Sequence, residues 1–310
     1  MILTVTLNVA LDVTYEVPEL TPCATHRVTS VARRAGGKGI NVARVLHQLG
    51  HETVASGYVG GVVGEEVLAD LDAAGLPHRL VGHPGRSSRQ SVTVVDRGCG
   101  DATVLNEPGP ELTDDDWTRF LATYDELAPA ASCVVLSGSL PPGLPTDAYA
   151  LLCTRTPGAT VVDSAGPALL AAARAGADVL LPNLAELRET TGRLDPIEGA
   201  LALLDAGGKA VVVSMGAEGL LAITRDGCWR VPAVSRLSGN PTGAGDALAA
   251  AIGATTELPW PDRLRAALAW SAAAVPVPLA GEVDVATLHR VADAALVDEL
   301  EDCDAAATDR

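Results

Sequence analysis

Between residues 112 and 214 short apolar runs alternate with helix-length amphipathic stretches, and that rhythm confines the chain to the α/β class. The spacing predicts helices over 113–127, 146–154, 167–175, 183–190 and 196–206, and strands over 132–137, 159–163, 178–181 and 209–214. Strand runs such as Cys133-Val134-Val135-Leu136 are apolar throughout, as strands buried on both faces must be. Parallel strands joined by crossover helices follow, with helices on both faces of the sheet. The rhythm extends back to an opening strand, a helix over 40–49 stopped by Gly50, a strand over 53–59 and a helix over 64–74 stopped by Gly75. Residues 89–96 and 101–106 break it by alternating polar and apolar about Arg97-Gly98-Cys99-Gly100, the pattern of a two-stranded ribbon. Strands from about 10–33 and 88–107 are expected to form a small lid. A hairpin over 219–224 and 228–233 turns at Asp226-Gly227, and two alanine-rich helices come after the last glycine-rich loop. No repeat or linker divides residues 1–300, so one domain is expected, followed by a polar, acidic, frayed tail over 301–310.

Composition removes several function classes. The chain is 48% hydrophobic but only 3% aromatic, so alanine, valine and leucine must fill a closely packed core. A net charge of −17 without any basic cluster argues against nucleic acid. There are two lysines, Lys38 and Lys209, and Lys38 lies in a glycine-rich loop where a bound anion would meet it. Six cysteines without a C-x-x-C, and six histidines without metal-type spacing, imply free thiols in a reducing compartment and no zinc site. No apolar run reaches the ~18 residues of a membrane span, and the alternating start lacks a basic leader region. The expected location is the cytoplasm.

Ligands of open parallel sheets sit beyond the carboxyl ends of the strands. Five distinctive segments are expected there: Asp12 after the first strand, Ser137-Gly138-Ser139-Leu140-Pro141-Pro142-Gly143, Asp163-Ser164-Ala165-Gly166, Pro182-Asn183-Leu184-Ala185-Glu186, and the loop Ser214–219. The most informative segment is Asn240-Pro241-Thr242-Gly243-Ala244-Gly245-Asp246, which leads straight into the apolar run 247–253. Small residues opening a helix leave free N–H groups at its positive end, a site for phosphate. Asp246 repels such an anion, which makes sense if it deprotonates a phosphoryl acceptor; the alternative is an acid complementing the helix dipole. A Walker-type phosphate loop is absent, and Gly60-Gly61-Val62-Val63-Gly64 lacks the start of a dinucleotide fingerprint.

Over roughly residues 4–279 these segments resemble the phosphofructokinase B branch of the ribokinase family. The resemblance is carried by Thr6-Leu7-Asn8-Val9-Ala10-Leu11-Asp12, Gly36-Gly37-Lys38-Gly39-Ile40-Asn41-Val42-Ala43-Arg44, Asn106-Glu107-Pro108-Gly109-Pro110, the Ser137 segment and the closing Gly-Ala-Gly-Asp. It is similar to the subset containing 1-phosphofructokinase and tagatose-6-phosphate kinase. The resemblance implies a three-layer sandwich around a mostly parallel sheet with a β-strand lid, and a kinase using ATP and Mg²⁺. It implies Asp246 as general base, with the amides of Gly243, Ala244 and Gly245 as the anion hole. Asp12, Gly37 and Asn41 would meet the acceptor's hydroxyls, although Asp12 also reads as a turn residue and Asn41 as a helix cap. Lys38, Arg89 and Ser139 would hold the acceptor's own phosphate, with Arg89 preferred over Arg86. Asn183 and Glu186 would organise Mg²⁺ and phosphate through water, a role compatible with capping helix 183–190; Ser214 and Gly216 would line the nucleotide loop. No side chain is expected to ligate the metal directly. The implied acceptor is fructose 1-phosphate or tagatose 6-phosphate, and the implied assembly is a homodimer through the lid. An unphosphorylated sugar or nucleoside as acceptor, or a catalytically idle sugar-phosphate binder, are the alternatives. Two departures from the family pattern stand out: Leu181 where many relatives carry lysine, and Gly239-Asn240-Pro241-Thr242 in place of the more frequent Ser-Thr-Val-Gly run.

Overall fold

A computed structural model describes residues 1–234, 239 and 242–300. The first third contains β1 (Ile2–Thr6), β2 (Ala10–Val17), β3 (Ser30–Gly36), α1 (Lys38–Gln48), β4 (Thr53–Val59), α2 (Gly61–Ala73), β5 (His78–Gly82), β6 (Arg89–Asp96) and β7 (Ala102–Asn106). The middle continues with α3 (Asp114–Leu127), β8 (Cys133–Ser137), α4 (Ala148–Arg155), β9 (Ala159–Asp163), α5 (Gly166–Arg174), β10 (Val179–Leu180), α6 (Leu184–Thr191), α7 (Pro196–Asp205) and β11 (Ala210–Ser214). The hairpin β12 (Leu220–Thr224) and β13 (Cys228–Val231) precedes α8 (Ala244–Ala254), α9 (Trp260–Ala273), α10 (Val285–Ala294) and β14 (Asp298–Glu299).

Ten strands form one sheet in the order β14-β13-β12-β11-β10-β9-β8-β1-β4-β5, parallel from β5 across to β11 and antiparallel beyond. Side chains alternate across it. Val134 and Leu136 join Phe120, Tyr124, Leu152 and Leu203 on one face, while Cys133 and Val135 join Val42, Ala250, Ile252 and Leu264 on the other. Three layers result, as expected from the apolar strands. The second core is built largely of alanine. Ala247, Ala249, Ala250 and Ala251 are fully buried, so α8 lies close against the sheet with little side chain between.

The lid segments fold as a second sheet in the order β3-β2-β6-β7. Both outer pairs are antiparallel, but β2 and β6 run parallel, with Asp12 opposite Ser91 and Ala10 opposite Arg89. It is therefore a mixed sheet of four strands rather than an isolated ribbon. A third core, including Leu11, Val13, Ala35, Ile40, Ala43 and Val67, fixes its base onto α1 and α2.

Several boundaries differ from the sequence expectations. Helices α1 and α2 start at Lys38 and Gly61 rather than 40 and 64, because glycines open both helices and obscure their starts. The expected strand 178–181 shortens to β10, and 228–233 shortens to β13. Asp12 lies inside β2 rather than in a turn. Strands β5 and β14 were not expected: both are edge strands, and β14 is two acids drawn into the ladder by Trp229 and Arg230. The tail 301–310, with Cys303, lies outside the described residues, as do Asn240 and Pro241. Among the described residues no helix is long and apolar enough to cross a membrane.

Candidate active site

The carboxyl ends of β1, β8, β9 and β10 open into a cavity of about 1140 Å³, roofed by the small sheet through Asp12, Arg89, Ser91, Val104 and Asn106. At its floor α8 begins. Gly243 caps the helix at φ 91°, in the left-handed region, and an added Cβ would come within 2.9 Å of Ala280 Cα. An added Cβ at Gly245 would meet nothing within 4 Å, so the first turn faces open space. Asp246 closes that turn as a buried carboxylate, 6% exposed. Asn41, also buried, donates from Nδ2 to its Oδ2 at 2.9 Å. Burial, helped by the negative charge of Asp163, pushes the Asp246 carboxyl up to about 7, although Lys38 and the Asn41 hydrogen bond pull the other way.

Asp12 projects from β2 over Gly36 in the neighbouring strand, where a side chain would overlap its carboxylate. Burial pushes it up to about 6, against the opposing pull of Arg89, Arg34 and Arg44. Arg89 starts β6, donates from Nε to the Asn8 carbonyl at 3.2 Å and lines the cavity. Arg86 instead donates to the Glu111 carbonyl and lines a separate cleft beside Arg119. Asn8 also gives its side-chain N–H to Ser139 Oγ at 3.1 Å, so one residue braces two of the three expected contacts of the acceptor's phosphate.

Lys38 opens α1 with Nζ 2.9 Å from Asp163 Oδ1 and 3.3 Å from Glu186 Oε1. Burial alone would lower its pKa, but Asp163, Glu186 and Asp246 together hold it above the usual lysine range. Expected on the acceptor's phosphate, its ammonium is committed to two carboxylates. Glu186 and Asn183 form a reciprocal capping box at the start of α6, with Glu186 N to Asn183 Oδ1 and Asn183 N to Glu186 Oε2 both at 2.9 Å. Both also line the cavity, so cap and rim coexist in the same residues.

Residues 5–285 match the pfkB family of carbohydrate kinases. The chain is a member of that family. It is 28% identical to phosphofructokinase-2 of Escherichia coli, whose potassium-bound structure superposes with a TM-score of 0.88 over 94% of this chain and 98% of that one. The same enzyme in complex with fructose-6-phosphate gives 27% identity and a TM-score of 0.85 over 94% and 98% of the two chains. A possible 1-phosphofructokinase of Thermotoga maritima gives 25% and 0.83 over 97% and 100%. The protein is thus an ATP-dependent sugar kinase with the ribokinase-like fold.

Of the residues singled out in the sequence, this pfkB kinase gathers Asp12, Gly37, Lys38, Asn41, Arg89, Ser139, Asn183, Glu186, Gly243, Gly245 and Asp246 around one cavity. Ala244, Ser214 and Gly216 are not on its wall. Ser214 bridges to Asn183 one strand along the same edge, and Gly216 opens the short turn that follows. Leu181 is buried among the side chains packed with α8 and α9, so this position brings no charge to the cavity. Two residues are placed by the sequence but given no role, Asp163 at the head of a rim segment and Asn8 inside a motif. Asp163 ends the apolar run Val161-Val162 and is buried at 4% exposure. Among the described residues no cluster of three or more metal-binding side chains exists. Glu186 supplies hard carboxylate oxygens at the wall, while Asp163 is buried and paired with Lys38. That donor set fits Mg²⁺ arriving on nucleotide phosphates and keeping several waters.

Proposed function

We propose that this kinase transfers the γ-phosphoryl group of ATP to a hydroxyl of a sugar phosphate, fructose 1-phosphate or tagatose 6-phosphate, with Asp246 as general base. The observation that carries the reading is one cavity holding a buried carboxylate, an open glycine helix start and an arginine on the roof. Arg89 is placed to hold a phosphate that the acceptor already bears, and Ser139, braced by Asn8, adds a hydroxyl beside it. A neutral sugar would bring no anion to that arginine, which would then face only the carboxylates of Asp12 and Glu107. Asp12 accepts hydrogen bonds from sugar hydroxyls, and Gly37 lets the sugar approach the backbone.

Asp246 takes the proton of the attacking hydroxyl, a contribution typically of ~10²–10⁴ in rate. The first-turn amides from Gly243 to Gly245, supported by the helix dipole, stabilise charge on the transferring group. Lys38 lies between this turn and Glu186, on the donor's side, and neutralises phosphate charge there. Asn183 and Glu186 would face Mg²⁺ arriving with ATP, which would supply Lewis-acid shielding of the phosphates.

The test is ADP release with Mg·ATP against fructose 1-phosphate, tagatose 6-phosphate, fructose 6-phosphate and free fructose. Turnover on one phosphorylated sugar, lost in Asp246→Asn, is expected. Turnover on free fructose with equal efficiency, or on none of the four, would reject the proposed acceptor class.

A further inference from the structure

Asn41 sits in the first turn of α1, where the sequence suggested a hydroxyl ligand or a cap. The cap of α1 is Gly37, and no side chain caps it. The amide faces Asp246 instead, across 205 positions of sequence. A carboxylate acting as base can only accept, so the Asn41 nitrogen must be the end turned toward it. The opposite end is backed by the loop before α10. At Gly281 (φ 82°) an added Cβ would stand 3.2 Å from both Asn41 Cα and Oδ1. The loop thus runs close behind the amide, where a side chain at Gly281 would crowd it. The other oxygen of Asp246, Oδ1, makes no hydrogen bond to any described residue.

We propose that Asn41 is a positioning residue for the base: it ties down Oδ2 and presents Oδ1 alone to the acceptor hydroxyl. The two oxygens of a free carboxylate are interchangeable by rotation. One anchored oxygen fixes the plane of the group and the direction from which a proton can arrive, which is what a near-attack geometry requires. A neutral amide suits the task better than an ammonium or guanidinium, which would stabilise the carboxylate too strongly for it to accept a proton. The charged groups facing Asp246 are Asp163 at the end of β9, Lys38 on α1 and Asp12 on β2. None is bonded to it, so the Asn41 hydrogen bond is the only one from a described side chain that favours its ionised form.

The kinetic side of this assignment rests on the kinase reading; the titration of Asp246 does not. Protein labelled with ¹³C at aspartate carboxyls, in the full chain without ligands, reports each titration directly, and Asp246→Asn identifies the signal. With Asn41→Leu, which keeps the volume but removes the donor, the Asp246 titration should move up by about one pH unit, the size expected for one lost hydrogen bond. Asn41→Ala serves if the leucine variant does not fold. The rising limb of kcat against pH should move by the same amount, and the plateau above it should stay below that of the unsubstituted protein, because the freed carboxylate can rotate. An unmoved titration overturns the proposal. So does a raised KM for the sugar phosphate with an unmoved limb, since Asn41 would then be a substrate ligand.

Discussion

Asp246 joins catalysis to stability with opposite signs. Its carboxyl is pushed from the ordinary 3.8 up to about 7 in the folded chain, chiefly by burial. Between those values the folded state holds a proton that the unfolded state has released, so stability falls as pH rises across that window and levels off above it. Catalysis needs the group ionised, so activity should rise with pH through about 7. Asp246→Asn should therefore remove turnover by roughly two to four orders of magnitude. The same change should raise the melting temperature at pH 8, by a gain that shrinks toward pH 4; scanning calorimetry at both pH values checks the second outcome. Arg89 gives the complementary expectation. Losing a charge-assisted contact of roughly 1.5–3 kcal/mol, Arg89→Ala should raise KM for the sugar phosphate about tenfold to a hundredfold and leave KM for ATP near its original value, as initial-rate kinetics would show. Residues in glycine-rich loops were legible in the sequence because those loops have few other reasons to exist. The roles of Asp163 and Asn8 were not, because their partners Lys38 and Ser139 lie 125 and 131 positions away and ordinary strand-end residues look the same.

At the scale of elements, α8 concentrates the chemistry in its first turn and the packing in the rest. Gly243 and Gly245 are both glycine for different reasons. The first needs a left-handed backbone against Ala280, whereas the second has open space around it. Gly245→Ala should then leave the melting temperature unchanged or higher, since alanine favours a helix by up to ~1 kcal/mol. It should lower kcat at least about tenfold by placing a methyl group where the transferred phosphate approaches. Equal losses of stability and rate would mean that the first turn is structural only. The central sheet was legible because uninterrupted apolar runs such as Val211-Val212-Val213 admit one environment, a layer covered on both faces. The small sheet was legible only in part. Its ribbon has a local turn, but the parallel pairing of β2 with β6 joins segments whose local patterns carry no record of each other.

For the whole molecule, the small sheet leaves Val31 55% and Leu105 59% exposed. A sheet of this size gains by covering such residues, and we propose that two copies pair through it. Sedimentation at micromolar concentration should give a dimer mass, and Leu105→Glu should shift it toward monomer; a concentration-independent monomer would remove the proposal. Escherichia coli phosphofructokinase-2 is known in a tetrameric inhibited form. The ion pairs of Lys38 have a further consequence at this scale. The chain carries two lysines, and the other, Lys209, is 65% exposed beside Asp178. An amine-acylating reagent needs the uncharged amine, which Asp163 and Glu186 suppress at Lys38. Lys209, the more exposed of the two, should therefore take the label first. Acylation of Lys38 would then act as a chemical gauge of whether its two carboxylate partners have been drawn away.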